Sequence, residues 1–224
     1  MTHIKLTYFD MGGTAEKVRL AFILNGVDFE DERLKNDEWA ELKPKVKFGQ
    51  LPILQLDDGP VYAQSDALLR LAATMGKAKL MPEDPMEQLK VNEAMGLTDD
   101  IFRSVTPSFF MGFAPERFGF AEGFHTTDEG KAKVKAMRET WLAEEAPKLM
   151  AMVSALLEAN GPSGFLASKD GPTIADCHMV SLLRMMQSGN VDHFPASCFD
   201  KYEAVGAYMK RFLAIPEVAK WYSK

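Results

Sequence analysis

Two prolines within five residues, Met81-Pro82-Glu83-Asp84-Pro85, divide this chain into stretches that follow different rules. Upstream of them, apolar residues recur first with period two and then with the period of a helix. Downstream, only the helical period is found. A chain of 224 residues patterned in this way has room for two modest domains with a sizeable core. The first is expected to be α/β and the second all-helical.

In the upstream part, Ile4, Leu6 and Tyr8 alternate with Lys5 and Thr7, which predicts a strand with one buried face. Gly12 and Gly13 loosen a loop from Phe9 to Thr14. A helix is predicted from Ala15 to Asn25, with Val18, Ala21 and Phe22 on one face and Asn25-Gly26 as its stop. A short strand over 29–34 and an irregular, partly helical connection over 38–45 follow. Residues 53–56 and 61–63 flank Asp57-Asp58-Gly59, a strong hairpin signal. A last helix runs from about Ser65 to Met75-Gly76. This order is the plan of a thioredoxin-like α/β unit over 1–80, with 81–85 as linker and 86–224 as an all-α helical-bundle domain.

Within the helical part, apolar residues at 149, 152, 153, 156 and 157, at 179, 182, 183 and 186, and at 205, 208, 209 and 212 match the 3.6-residue period. Such stripes are read as core. Between Thr106 and Thr127 the period fails amid Pro107, Pro115, three glycines and six phenylalanines, which predicts a long aromatic loop. Thr173-Ile174-Ala175-Asp176 has the form of a capping box at a helix start, a feature of folding rather than of catalysis.

The net charge of −6 and pI near 5.3 argue against nucleic-acid or polybasic membrane partners. No apolar run approaches the ~20 residues that span a bilayer. The first residues read as a strand and lack the pattern of a signal peptide. Cys177 and Cys198 make neither a CxxC pair nor a disulfide framework, which suits a reducing, cytoplasmic setting. The four histidines have no metal-ligand spacing, so no metal is expected.

Two short segments point to a ligand. Leu51-Pro52 stands at the entry of a strand. A trans proline there only removes a donor; a cis proline turns the chain and leaves the Leu51 amide and carbonyl free to pair with an extended peptide. Ser65 is placed at the N-cap of the next helix, with Asp66 at its first position. Amides at a helix start bind carboxylates, and Ser65 and Gln64 can add hydrogen bonds; alternatively Ser65 only caps its own helix.

Lys5-Leu6-Thr7-Tyr8-Phe9, Ala15-Glu16, Trp39, Phe48-Gly49-Gln50-Leu51-Pro52, Gln64-Ser65 and Thr173-Ile174-Ala175-Asp176, taken in order, resemble the cytosolic glutathione transferases. The likeness is greatest to the tyrosine-type, sigma-like class, which includes glutathione-dependent prostaglandin D synthases and cephalopod lens crystallins. It implies a cis bond before Pro52 and glutathione as cosubstrate, with no tightly bound cofactor. It makes Tyr8 the catalytic hydroxyl. A free thiol of pKa about 8.5 is about 3% ionised at pH 7. Lowering that pKa by ~2 units needs about 2.7 kcal/mol of preferential thiolate stabilisation, and one hydroxyl donor to an anion supplies on the order of 1.5–3 kcal/mol.

By the same resemblance Leu51 clamps the cysteinyl backbone, and Gln64 and Ser65 hold the γ-glutamyl end. Trp39, Lys43 and Gln50 meet the glycyl end, with Lys43 pairing its carboxylate. Asp100, or alternatively Asp99, is lent to the glutathione amine by the partner subunit of a homodimer into which Phe48 wedges. The hydrophobic electrophile is assigned to Phe9, Met11, Thr14, Arg103, Ser104, Pro107 and Phe110. Sigma-like enzymes usually carry arginine where this chain has Gly12 and Thr14. That departure opens a second expectation, a weakly active or non-catalytic glutathione- or ligand-binding protein of ligandin or crystallin type; a glutathione-dependent isomerase is a third.

Overall fold

The computed structural model describes residues 2–223. Strand β1 (Ile4–Phe9) lies inside a four-stranded sheet of order β2-β1-β3-β4. Strand β2 (Glu30–Leu34) runs parallel to it, with Leu6 opposite Asp31 and Phe9 opposite Leu34. Strand β3 (Ile53–Leu56) is antiparallel, with Leu6 opposite Leu54, and β4 (Val61–Ala63) returns from the predicted hairpin. A parallel neighbour needs a crossover. Helix α1 (Glu16–Leu24) supplies it, after a 3₁₀ turn at Gly13–Ala15. Helix α2 (Asn36–Leu42) and short turns at Lys43–Lys45 and Lys47–Gly49 fill the connection to β3, and α3 (Ser65–Thr74) closes the unit.

The helical part starts with α4 (Pro85–Met111), in which Asp84 caps the amides of Met86 and Glu87 at 2.9 and 3.0 Å. Pro85, read from sequence as linker, is therefore its first residue, a position where the missing N–H costs nothing. Helices α5 (Asp128–Thr140), α6 (Ala146–Ala159), α7 (Ile174–Met186), α8 (Glu203–Leu213) and α9 (Pro216–Tyr222) follow, with a π turn at Trp141–Glu145. The Thr173–Asp176 capping box is present at the start of α7. Buried Asp176 also accepts from the Leu166 amide and the Tyr208 hydroxyl, both at 3.0 Å, tying a loop and α8 to that helix start.

The aromatic loop is shorter than the sequence suggests. Thr106 to Met111 are helical, because α4 continues through Pro107. Ile101, Val105, Ser108 and Met111 keep a buried helical stripe across the proline. The hydroxyls of Ser104, Thr106 and Ser108 bond back to carbonyls of the preceding turn at 2.5–2.8 Å. Non-α chain begins only at Gly112 and holds two 3₁₀ turns, Pro115–Phe118 and Phe124–Thr126.

The two units share a core. Helix α1 is buried along Glu16–Phe22 because it packs on α3, on α7 and on α9, and Arg19 reaches Asp31 of β2. The Ile174 amide bonds the Leu80 carbonyl at 2.9 Å, fixing the linker against the start of α7. Both cysteines are free thiols.

Candidate active site

Between the sheet unit and helices α4 and α7 lies a cleft of about 1190 Å³. Tyr8, near the end of β1, is buried on its floor. The segment after β1 turns back over it. At Gly13 the backbone has φ +49°, and a Cβ there would stand 2.5 Å from the Tyr8 Oη. Only glycine lets the loop approach this closely. The next residue supplies two donors: the Thr14 amide and hydroxyl approach the Tyr8 Oη at 3.4 and 3.3 Å.

Four further features of the sheet-side wall are set by backbone. The Leu51–Pro52 peptide is cis, with Pro52 buried and Leu51 lining the cleft ahead of the β3 ladder. Phe48, Gly49 and Gln64 have φ of 70°, 57° and 77°. Gln64, not Ser65, is the N-cap of α3, and it makes no side-chain cap bond. Ser65 is the first helical residue, so its amide and hydroxyl both lie at the helix start and line the cleft. Trp39, Lys43 and Gln50 complete this wall, with Trp39 edge-on to Phe9 at 5.9 Å between ring centroids.

The opposite wall is helical and aromatic. Phe102, Thr106, Phe109 and Phe110 of α4 and Leu182 and Met185 of α7 face the cleft. Phe110 packs at a tilt against Phe113, 4.9 Å between ring centroids, and lies under the Arg117 guanidinium at 3.9 Å. Met11 stands half exposed at the mouth.

Where the walls meet lies a charged group. Lys17 of α1, 4% exposed, pairs with Asp66 of α3 and stands 3.2 Å from His178 Nε2 of α7. Asp99 of α4 is 3.6 Å from the same nitrogen. Burial and the Lys17 charge push His178 down to about 3, so the imidazole is neutral and its Nε2 accepts from lysine. Burial raises Asp66, but Lys17 outweighs it and holds the carboxyl below its ordinary value. Burial, then the Asp66 charge, pushes Asp99 up.

The family patterns of the glutathione S-transferase N-terminal and C-terminal domains match residues 13–75 and 117–224. Glutathione S-transferase 4 of Caenorhabditis elegans is 30% identical over 223 residues, 99% of this chain and 96% of that protein. The chain belongs to the glutathione S-transferase family. Glutathione S-transferase 1 of Ascaris suum is 44% identical over 110 residues, a match that spans about half of that protein (52%) and 49% of this chain. The hematopoietic prostaglandin D synthase of Gallus gallus is 30% identical over all of this chain and 97% of its own length. Among solved structures, the glutathione S-transferase from Ascaris lumbricoides superposes with a TM-score of 0.76 at 31% identity, over 99% of this chain and 96% of its own.

For a glutathione S-transferase, the expected residues gather unevenly. Tyr8, Phe9, Met11, Thr14, Trp39, Lys43, Gln50, Leu51, Ser65 and Phe110 all line the cleft. Pro52 lies beneath it and exposed Gln64 beside it. Asp99 faces the cleft of its own chain, whereas Asp100 is exposed and bonded to Arg103 at 2.8 Å. Arg103 and Pro107 line an adjoining groove of about 550 Å³ with Phe118. Ser104 lines neither space: it is exposed on α4 and accepts from Trp141 Nε1 at 2.9 Å. Sequence reasoning missed Lys17, His178, Phe102, Phe109 and Arg117. A signal for Lys17 existed. Residues 20–24 of α1 are all apolar, which marks a helix covered on every side, so the charges at 16, 17 and 19 on the same helix had to find buried partners. Among the described residues no three His, Cys, Asp or Glu gather as a metal-binding group, and no helix is long and apolar enough to cross a membrane.

Proposed function

We propose that this chain is a tyrosine-type, sigma-like glutathione S-transferase that conjugates reduced glutathione to hydrophobic, flat electrophiles, with Tyr8 holding the sulfur as thiolate. One observation carries the reading. A tyrosine hydroxyl has one proton and two acceptor sites. The Thr14 amide and hydroxyl both address the acceptor side of Tyr8, so the proton is left to donate into the cleft. A hydroxyl that accepts two hydrogen bonds is also a stronger donor, which offsets part of what an arginine at position 14 would supply. The glutathione backbone pairs with Leu51, its γ-glutamyl end with Ser65 and Gln64, and its glycyl end with Trp39, Lys43 and Gln50. The sulfur then faces Tyr8, and the electrophile lies against Phe9, Phe109 and Phe110, where water is displaced and the thiolate is more nucleophilic.

The enzyme is read as a homodimer in which Asp100 of one subunit meets the glutathione amine bound by the other. The outward position of Asp100 favours it over Asp99 for that role. Phe48, Tyr62, Met86 and Leu89 are large apolar side chains left exposed, as a subunit contact would use them.

The deciding measurement is the thiol pKa of bound glutathione, followed by thiolate absorbance. A midpoint near 6.5, rising by about 1–2 units in Tyr8→Phe with little change in glutathione affinity, is expected. Turnover of a chromogenic aryl halide should fall about 10²-fold in that variant. An unshifted midpoint in the unmodified protein would instead assign a binding role without catalysis. The full-length similarity to the Gallus gallus prostaglandin D synthase favours one second reading, glutathione-dependent isomerisation of a prostaglandin-type substrate at the same thiolate. Product analysis with such a substrate separates it from conjugation.

A further inference from the structure

Behind the Tyr8 loop lies a second network that no step above uses. Arg19 of α1 is wholly buried. Its Nη1 donates to the carbonyls of Met11 and Gly12 at 2.9 and 3.1 Å and to Glu16 Oε2 at 3.0 Å, while Nε donates to Asp31 Oδ1 at 2.8 Å. Glu16 Oε1 in turn accepts from Trp221 Nε1 of α9 at 3.0 Å. The guanidinium carbon also lies 5.9 Å from the centroid of the Tyr8 ring. One unbroken chain of hydrogen bonds therefore runs from α9, through Glu16 and Arg19, to the carbonyls of the two peptides that precede Gly12 and Gly13.

We infer that Arg19 is a positioning residue for the thiolate, and that α9 acts on the active site through Trp221 and Glu16. The inference rests on the Tyr8 reading above. Thr14 reaches Tyr8 only through long hydrogen bonds, which weaken steeply as the loop drifts. Gly12 and Gly13 supply no side chains that could hold this part of the loop. The Met11 and Gly12 carbonyls are the handles: Nη1 holds both while Nε of the same planar fork bonds Asp31, so the guanidinium ties the loop to β2 in a span that a single ammonium nitrogen does not reproduce. Charge alone is the weaker explanation. Glu16 and Asp31 both press on the guanidinium, so most of its field at Tyr8 is cancelled nearby. The part played by Arg19 is the placing of the Thr14 donors and of the Gly13 backbone against the Tyr8 ring.

The test is a set of thiolate titrations of the glutathione complex in the unmodified enzyme, Tyr8→Phe, Arg19→Lys and Trp221→Phe. Arg19→Lys keeps the charge and loses the fork; Trp221→Phe keeps the ring and loses one donor. Arg19→Lys should raise the thiol midpoint by about one unit and Trp221→Phe by a few tenths, each with glutathione affinity within about threefold. Combining Arg19→Lys with Tyr8→Phe should add little beyond Tyr8→Phe, because both act through one hydroxyl. Unshifted midpoints in Arg19→Lys and Trp221→Phe, beside a raised midpoint in Tyr8→Phe, would overturn the inference and leave the Tyr8 reading standing. An unmoved midpoint in Tyr8→Phe would remove both. Should Arg19→Lys not fold, Trp221→Phe decides alone, and an unshifted value there overturns the coupling to α9.

Discussion

The two walls of the cleft store their information differently. The sheet-side wall is a set of backbone positions: Gly13, Phe48, Gly49 and Gln64 at positive φ, and a cis peptide before Pro52. The wall from α4 and α7 has helical backbone and acts through the side chains of Phe102, Phe109, Phe110 and Met185. A non-glycine residue at positive φ costs on the order of 1–3 kcal/mol and persists only where its surroundings require it. Under the proposed function, two such residues flanking the wall, Phe48 and Gln64, fit main-chain recognition of a fixed peptide. The aromatic wall can exchange one ring for another and stay apolar. Under the proposed function, such a division suits one fixed reactant and one that varies.

Gly13 is where the comparison breaks most easily. A methyl group at φ +49° meets the Tyr8 Oη at 2.5 Å and Cε1 at 2.6 Å, and the ring is held in the core. Gly13→Ala should lower turnover by about 10²–10³-fold and stability by about 1–3 kcal/mol. Gly12→Ala is its control: the added carbon meets only the Glu16 side chain, no nearer than 3.7 Å, so activity should hold within about twofold. Steady-state kinetics and thermal melts of the pair check this. Near-normal turnover in Gly13→Ala would mean that the loop does not position Tyr8.

The same contrast explains what was legible in the sequence. Features of the first wall are local. The alternation of Ile4, Leu6 and Tyr8, the Asp-Gly turn and the order of elements led to the observed sheet. The sequence points one position late for the first helical residue of α3, because Ser65 is a better capping type than Gln64 but the backbone bends at Gln64. The second wall depends on contacts between distant segments. Pro107 and the phenylalanines suggested a loop, and only the buried stripe of Ile101, Val105, Ser108 and Met111 reveals that the helix persists. Lys17 meets His178 across 161 residues, a pairing no local pattern encodes.

That pairing gives the next prediction, where the walls join. His178 is pushed down to about 3 by burial and by Lys17, while an unfolded histidine titrates near 6.5. Between those values the unfolded chain binds a proton that the folded chain refuses, so stability falls as pH falls, by up to about 1.4 kcal/mol per unit. Asp66 acts in the same direction lower down: its depressed value gives stability that is present above the unfolded pKa and lost as pH falls through the folded one. His178→Asn should flatten the dependence of melting temperature on pH between about 6.5 and 4. An unchanged slope would mean that the two walls are not locked through this histidine.

The smallest effects belong to the aromatic wall. Phe110 presents one face to Phe113 at 4.9 Å and carries Arg117 at 3.9 Å, so its removal loses a ring pair and a cation–π contact. Each is worth about 0.5–1.5 kcal/mol. Phe110→Ala should therefore raise the KM for an aryl electrophile by about 3–10-fold, and Arg117→Met by about 2–3-fold. The KM for glutathione should not move in either, since neither side chain belongs to the sheet-side wall. A bisubstrate kinetic analysis reads the two constants separately. If glutathione KM rose in step with that of the electrophile, the walls would be one coupled surface, and the division between a fixed cosubstrate and an exchangeable electrophile would fail.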